Sequence, residues 1–215
     1  MKQRTEQLYK DFFDRQGNLL PLKNNILDVC NVLLHTYQNG GKVLICGNGG
    51  SCADSGHIVG ELMKGFLLKR PLGKELLNRF EQIGGAEGLA AAQKLQQGLP
   101  AISLNAHTAL ISAFSNDVDP DLVYAQQVIG YAAKGDAVIG ISTSGNSLNI
   151  AYALMAAKAA GAVSIALSGR DGGKIGKIAD YGVIAPESET YHIQECHLAV
   201  YHFICAYIES EMFLN

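Results

Sequence analysis

The sequence KVLICGNGGS, residues 42–51, places a short apolar run directly before a glycine-rich loop, and helical periodicity resumes from Cys52 to about Met63. This order predicts a strand, a tight loop and a helix. A glycine-rich loop at a helix N-terminus presents unpaired backbone N–H groups, and the helix dipole adds a field that favours an anion. We therefore expect this unit to bind a phosphate group.

Four further apolar runs continue the alternation of strand, loop and helix; they cover residues 101–104, 136–141, 162–167 and 181–185. Short β-branched runs that alternate with helices indicate a parallel sheet covered on both faces. Helical spacing over 5–37 predicts two N-terminal helices within residues 1–39, and a long helix is predicted over about 191–213. The expected fold is α/β, a Rossmann-like three-layer α-β-α sandwich with a five-stranded parallel sheet, and its ligands should bind at the carboxyl ends of the strands.

Residues 66–99 interrupt this alternation with helical signals of their own, over 75–83 and 87–97, separated by Gly84-Gly85. A connection of this length is a lid, an interface element or neutral decoration, and the sequence leaves its role open. The remaining length suits one α/β core, so we expect a single domain over residues 1–215.

The composition limits the function classes that are open to the chain. Hydrophobic residues make up 48% and charged residues 17%, which is enough apolar material for a large core. The formal net charge of -3 provides no broad positive field, so we expect no nucleic-acid partner. Because the charged N-terminus lacks a signal-peptide core and no apolar run is long enough to cross a bilayer, we expect a cytoplasmic protein with no membrane partner.

The loop STSGNS, residues 142–147, follows the third predicted strand and contains no cation. It supplies four hydroxyl groups, those of Ser142, Thr143, Ser144 and Ser147. Helix capping alone explains one or two such residues, so we prefer the hypothesis that the loop holds a phosphate monoester. No nucleotide cofactor is expected, because Cys52 takes the place of the third glycine of G-x-G-x-x-G and no Gly-Lys-Ser/Thr occurs.

Two predicted helices carry side chains that suit acid–base or metal chemistry. His57 and Glu61 are four residues apart, so they project from one face of the helix after the first loop. They can act as acid and base or as metal ligands, whereas a solvated or core-satisfied pair is the structural alternative. On the last helix, Gln194 and His202 lie about two turns apart and can face one cleft, while His197 is better explained as a packing or interface residue.

Six motifs occur in an order that resembles sugar isomerase (SIS) domains, and specifically the bacterial phosphoheptose isomerases. They are CGNGGS at 46–51, HxxxE at 57–61, ND at 116–117, GISTSGNS at 140–147, GRDGGK at 169–174 and IQE at 193–195 followed by His202. The resemblance covers most of the chain outside the segment between Gly65 and Pro100, and the ordered combination is much more specific than any single loop.

The resemblance implies a reaction that converts sedoheptulose 7-phosphate to D-glycero-D-manno-heptose 7-phosphate through an enediol, in a homotetramer with active sites where subunits meet. It implies that Glu61 is the general base and that His202 is the acid or base that handles the sugar oxygens. The implied substrate-binding residues are Asn48, Gly49, Ser51, Asp117, Ser142, Thr143, Ser144, Ser147 and Gln194. The implied zinc ligands are His57, Glu61, Gln194 and His202.

The chain departs from the family pattern at three places, so the reaction type is better supported than the exact sugar. An insertion follows the helix of Glu61, Gly65 stands where many phosphoheptose isomerases have a substrate-facing arginine, and Tyr191-His192 stands where Asp-Arg is common. The main alternative is a non-catalytic SIS module, either a sugar-phosphate sensor or an interaction scaffold, and the presence of both Glu61 and His202 favours the enzyme. An amide-transferring relative is least favoured, because these residues include no glutamine-cleaving domain.

Overall fold

The computed structural model of the chain describes residues 2–213. Its five strands form one parallel sheet in the order β2-β1-β3-β4-β5. The strands are β1 Val43–Gly47, β2 Ala101–Ser103, β3 Ala137–Ser142, β4 Val163–Gly169 and β5 Tyr181–Ala185. The sheet predicted from the sequence is confirmed, with strand ends displaced by one or two residues.

Helices connect and cover the strands. In chain order they are α1 Gln3–Arg15, α2 Lys23–Gln38, α3 Gly50–Met63, α4 Lys74–Ala92, α5 Thr108–Asp117, α6 Val123–Tyr131, α7 Leu148–Ala159, α8 Gly173–Ile178 and α9 Thr190–Phe213. The two predicted N-terminal helices are present as α1 and α2, joined by a short 3-10 helix that contains Pro21. In the described part of the chain, no helix combines the length and the apolar character that a bilayer span requires.

Two hydrophobic cores lie on opposite faces of the sheet, because successive side chains of a strand point to opposite sides. On one face, Val43 and Ile45 of β1 pack with apolar residues of α1, α2, α3 and α9. On the other face, Leu44 and Cys46 of the same strand pack with residues of α6, α7 and α8. This arrangement confirms the predicted three-layer α-β-α sandwich.

The strand order determines where a ligand can bind. The chain runs from β1 outward to β2 and returns to β3 on the other side of β1. The connections that leave the adjacent strands β1 and β3 therefore run in opposite directions along the sheet. In open parallel sheets, ligands bind in the crevice at such a switch point, beyond the carboxyl ends of the strands. Both loops that the sequence singled out therefore border one crevice.

The segment between α3 and β2 contains α4, which is broken at Gly85, where φ is 56°. The break agrees with the predicted division at Gly84-Gly85, but the second helical part ends at Ala92 rather than near residue 97. The reason is that the chain turns back at this point: Gln97 N donates to Arg70 O at 2.7 Å, which closes the base of the segment.

Candidate active site

A cavity of about 310 Å³ opens between the loops that follow β1 and β3. Its lining residues are Asn48, Gly49, Gly50, Ser51, Ile141, Ser142, Thr143, Ser144, Ser147, Thr190 and Gln194. Every predicted substrate-binding residue except Asp117 is in this set. None of the described lining residues carries a positive charge, so an anion bound here is held by neutral donors and by the N-termini of α3 and α7.

Hydrogen bonds within the hydroxyl-rich loop hold its shape. Ser142 Oγ lies 3.0 Å from Ser147 Oγ, and Gly145 N donates to Ser142 O at 2.9 Å. Gly145 has a φ of +67°, a conformation that only glycine adopts at little cost. The loop leads directly into α7, whose first residue is Leu148, so its backbone N–H groups are at a helix N-terminus.

The glycine motif at 169–174, to which the sequence assigned no role, packs against this loop. A side chain at Gly145 would collide with the backbone of Gly172 and Gly173. The two loops are also joined by hydrogen bonds, since Ile175 N donates to Gly145 O at 2.9 Å and Lys174 N donates to Asn146 Oδ1 at 3.2 Å. The motif therefore supports the hydroxyl-rich loop from outside the cavity.

The loop after β1 reaches the same cavity through close packing against α9. A Cβ atom at Gly50 would collide with the side-chain amide of Gln194, so the absence of a side chain leaves room for this amide beside the start of α3. Asn48 and Asn149 exchange two side-chain hydrogen bonds, of 2.9 and 3.0 Å, which connect this loop to α7. Gly50 and Thr190 were not predicted, although Gly50 belongs to the glycine-rich loop and Thr190 begins α9.

A group of titratable side chains lies where the C-terminal half of α3 meets α9. His57 Nε2 is 3.2 Å from Glu61 Oε1 and 3.3 Å from His202 Nε2. His57 and Glu61 come from α3 as a pair four residues apart, as predicted, and α9 brings His202 of the same chain to them. Burial lowers the pKa of His202, and the neighbouring His57 lowers this pKa further, so His202 is mostly neutral at pH 7.

His57 has a second set of contacts on its other ring nitrogen. Tyr201 Oη lies 2.9 Å from His57 Nδ1 and 3.3 Å from Asp54 Oδ1. Burial raises the pKa of both Asp54 and Tyr201. Sequence analysis missed Tyr201 and Asp54, because a tyrosine within an apolar helix gives no signal of a polar contact.

Two family models, both described as SIS domain, match residues 19–97 and 97–208. The chain belongs to the SIS domain family.

Proteins named phosphoheptose isomerase are similar to this SIS chain over most of its length. The one from Trichlorobacter lovleyi is 39% identical over 188 residues, which cover 87% of this chain and 83% of the relative. Phosphoheptose isomerase 2 from Campylobacter jejuni is 38% identical and covers 97% of this chain and 87% of the relative. The solved structure of phosphoheptose isomerase from Neisseria gonorrhoeae is 30% identical, with a TM-score of 0.71 and coverage of 96% of this chain and 94% of that one.

Three of the four predicted metal ligands of this SIS domain come together within the chain. Ligand atoms of His57, Glu61 and His202 all lie within 4.8 Å of one another, and two imidazoles with one carboxylate form a donor set that zinc accepts. Glu61 Oε2 is buried and accepts no hydrogen bond, although the exposed ammonium of Lys64 lies 3.7 Å from it, so a bound cation or a proton could still pair with this oxygen. The donor set and the distances therefore fit a metal ion.

Gln194, the fourth predicted ligand, lines the cavity between the loops that follow β1 and β3. It precedes His202 by eight residues on α9, which corresponds to about 12 Å of helical rise.

Two further predicted residues have clear positions. Asp117 is exposed at the end of α5, where its side chain accepts a hydrogen bond from Asn116 Nδ2 at 2.8 Å, and it does not line the cavity between the loops that follow β1 and β3 of its own chain. His197 is fully buried, with its Nε2 3.0 Å from Ser168 O, and burial lowers the pKa of its imidazole. Its position agrees with the packing role that was preferred for it.

Proposed function

We propose that this SIS domain is a phosphoheptose isomerase that interconverts sedoheptulose 7-phosphate and the aldose D-glycero-D-manno-heptose 7-phosphate. The observation that carries the proposal is that α3 and α9 each contribute to two places. One is the cavity between the loops after β1 and β3, which we call the phosphate cavity, and the other is the His57–Glu61–His202 cluster. Six residues separate Ser51 from His57 on α3, which is about 9 Å of rise. An extended sugar phosphate anchored at the cavity can therefore place its carbonyl end near the cluster. The similarity to named phosphoheptose isomerases supports the same substrate class.

The phosphate cavity anchors the end of the sugar that does not react. Backbone N–H groups at two helix N-termini and the hydroxyls of the 142–147 loop donate to the phosphate oxygens. Fixing the phosphate restricts the position of the distant carbonyl, which turns the proton transfers into steps between groups already in place.

Isomerisation requires one proton to move between two carbons and another to move between two oxygens. Glu61 acts as general base: it removes the proton from C1 of the open-chain ketose and returns it to C2 of the resulting enediol. His202 moves protons between the oxygens on C1 and C2, which turns the ketone into a hydroxyl and the hydroxyl into an aldehyde. A mostly neutral imidazole suits this role because it both accepts and donates a proton near pH 7.

We further propose that His57, Glu61 and His202 bind zinc. The family resemblance also implies Gln194 as a ligand, but within this chain Gln194 lines the neighbouring cavity, so the three clustered residues form the core of the proposed site. When bound, zinc polarises a substrate oxygen as a Lewis acid. A carboxylate held by a cation is a weaker base than a free one. Glu61 can nevertheless serve both purposes through different oxygens, because Oε1 faces His57 whereas Oε2 accepts no hydrogen bond and has the exposed Lys64 ammonium at 3.7 Å.

The Glu61→Gln variant tests the catalytic assignment. The amide keeps the size of the side chain but cannot accept the C1 proton, so we expect aldose formation from sedoheptulose 7-phosphate to fall by about 10²–10⁴-fold. Glu75→Gln makes the same change on an exposed residue of α4 and should leave the rate unchanged. An undiminished rate in Glu61→Gln would remove Glu61 from the mechanism.

A panel of ketose phosphates tests the substrate. Turnover of sedoheptulose 7-phosphate at the highest kcat/KM supports the proposal. Measurable binding of ketose phosphates without conversion of any of them would instead favour the sugar-phosphate sensor.

Metal analysis of the purified protein tests the zinc assignment. We expect zinc to be retained by the wild-type protein and lost from His57→Ala, which removes one of the two imidazoles. A metal-free protein with full activity would exclude zinc from the reaction. The homotetrameric assembly and the cytoplasmic location inferred from the sequence belong to the same proposal.

A further inference from the structure

A buried tyrosine connects the His57–Glu61–His202 cluster to a carboxylate behind it. Tyr201 belongs to α9 and is 2% exposed, and its hydroxyl lies between His57 Nδ1, at 2.9 Å, and Asp54 Oδ1, at 3.3 Å. Asp54 and His57 are both on α3, so one hydroxyl from α9 joins two residues of the neighbouring helix.

The chemistry of the three groups gives these hydrogen bonds a direction. An ionised carboxylate only accepts hydrogen bonds, and a phenolic hydroxyl has one proton to donate. Tyr201 keeps that proton at neutral pH, because a phenol ordinarily loses its proton only at about pH 10. If Tyr201 donates to Asp54, its oxygen must accept from His57, and the proton of the His57 ring then lies on Nδ1.

The other nitrogen of His57 faces the cluster. With its proton on Nδ1, a neutral His57 has a bare lone pair on Nε2, which can accept a hydrogen bond from Nε2–H of His202 at 3.3 Å. Glu61 Oε1, at 3.2 Å, is itself an acceptor, so it pairs with this nitrogen only when a proton or a metal ion lies between the two atoms. We propose that Tyr201 is a positioning residue: together with Asp54 it fixes the tautomer and orientation of His57, so that the Nε2 lone pair points into the cluster. The inference rests on the proposed function, because that function supplies the metal ion or the substrate that the lone pair would contact.

Packing alone does not account for the hydroxyl of Tyr201. A phenylalanine would fill the same apolar space, but it would leave His57 Nδ1 and Asp54 Oδ1 without the partner they have here. Asp54 Oδ2 is already buried without a hydrogen-bond partner. Without the hydroxyl, Asp54 Oδ1 would become the second oxygen of this carboxylate without a partner, which adds a desolvation penalty. Groups behind a ligating histidine commonly fix its tautomer in this way.

Tyr201→Phe tests the proposal, and Tyr207→Phe is its matched control. Tyr207 lies on the same helix and is also buried. Its hydroxyl donates to Asn31 Oδ1 at 3.2 Å, a hydrogen bond that involves no residue of the cluster. Nitrogen-15 NMR of histidine-labelled, chelator-treated protein reports which ring nitrogen of His57 carries the proton. We expect the Nδ1–H form in the wild type and in Tyr207→Phe, and a shift toward the Nε2–H form in Tyr201→Phe.

Zinc titration of the same proteins gives a second readout. Loss of an outer hydrogen-bond partner of a ligating histidine lowers metal affinity by about 10–100-fold, and we expect a decrease of this size in Tyr201→Phe but not in Tyr207→Phe.

Asp54→Ala provides an independent test in which the tyrosine ring stays in place. Without the carboxylate, the hydroxyl of Tyr201 is free to donate to His57 Nδ1, and we expect the Nε2–H tautomer to dominate. This variant also decides the question if circular dichroism shows that Tyr201→Phe does not fold.

The proposal is overturned if metal-free wild-type protein has its His57 proton on Nε2. It is equally overturned if Tyr201→Phe and Asp54→Ala both retain the wild-type tautomer. Because the tautomer is measured without substrate or metal, these results are independent of whether Glu61→Gln abolishes isomerisation.

Discussion

Arg70 Nε donates to Glu209 Oε1 at 2.7 Å, and both side chains are almost completely buried. The carboxylate of Glu209 also accepts hydrogen bonds from the backbone N–H groups of residues 66–68. On its other side, Arg70 donates to the main-chain oxygens of Leu62 and Glu61 at 2.7 and 3.2 Å. The ion pair therefore holds the start of the 66–99 insertion and the C-terminal end of α3 against α9.

Breaking this pair should be strongly destabilising, since either substitution leaves the remaining charge buried and unpaired. For Arg70→Met or Glu209→Gln we expect the free energy of unfolding to fall by about 3–5 kcal/mol. Arg79→Met removes a pair of similar length, 2.6 Å to Glu75, that lies on the surface, and should cost at most about 1 kcal/mol. Urea unfolding of the three variants makes the comparison, and a loss no larger than that of Arg79→Met would contradict it.

Gly145→Ala should disrupt the phosphate cavity because a side chain at this position collides with the backbone of Gly172. Gly40→Ala is the control: Gly40 also has a positive φ, +76°, but its Cβ would meet open space. We expect Gly40→Ala to show only the conformational cost of about 1 kcal/mol, with an unchanged KM. Gly145→Ala should raise KM for the sugar phosphate by at least about tenfold, which corresponds to 1.4 kcal/mol of binding. Equal KM values in both variants would show that the contact between the two loops does not shape the cavity.

The predictable part of the fold is the part with local signals. The run at 42–51 and the one at 136–147 each combine an apolar stretch of strand length with a loop rich in small polar residues, and both signals lie within a few residues. The order of the strands has no such signal. That β1 lies between β2 and β3 depends on which helices cover which face, so the switch point follows only from packing over the whole chain.

The candidate site shows the same division. His57 and Glu61 could be predicted as a pair because both lie on one helix at a spacing fixed by helical geometry. The contact of His202 with them depends on how α9 lies across α3, which no local pattern determines. The same crossing places Gln194 at the phosphate cavity and the hydroxyl of Tyr201 against His57.

The decrease in the free energy of unfolding at acid pH should depend on Asp136. Burial raises the pKa of this carboxyl, but hydrogen bonds from Lys42 Nζ at 2.6 Å, Lys42 N at 2.9 Å and Ala133 N at 2.8 Å outweigh that effect and lower the pKa below its usual value. A lowered pKa in the folded state contributes stability that is present above the unfolded pKa, near 3.9, and is lost as the pH falls through the folded value.

Asp136→Asn should therefore lose about 1.5–3 kcal/mol at neutral pH, the size of hydrogen bonds to a charged group. The difference from the wild type should stay constant above about pH 5 and shrink below about pH 4. Asp14→Asn makes the same change of charge at an exposed position of α1 and serves as the control. Unfolding curves collected from pH 3 to pH 7 measure the difference, and a difference independent of pH would contradict the assignment.

The exposed apolar face of α4 should be covered by another copy of the chain. Of the nineteen residues in α4 only Ala92 is buried, while Ile83 is 89% exposed. If Ile83 is buried in a homo-oligomer, its contribution of about 1.5–3 kcal/mol is lost in Ile83→Glu, and the dissociation constant should rise by about 10–100-fold. Ile129→Glu introduces the same charge at a 59% exposed position on α6 and serves as the control. Sedimentation velocity over a range of concentrations measures both. A wild-type mass distribution for Ile83→Glu would show that α4 lies outside the interface. Whether or not the oligomer dissociates, the unfolding free energy of the Ile83→Glu subunit should stay within about 0.5 kcal/mol of the wild-type subunit, since an exposed side chain has few contacts to lose.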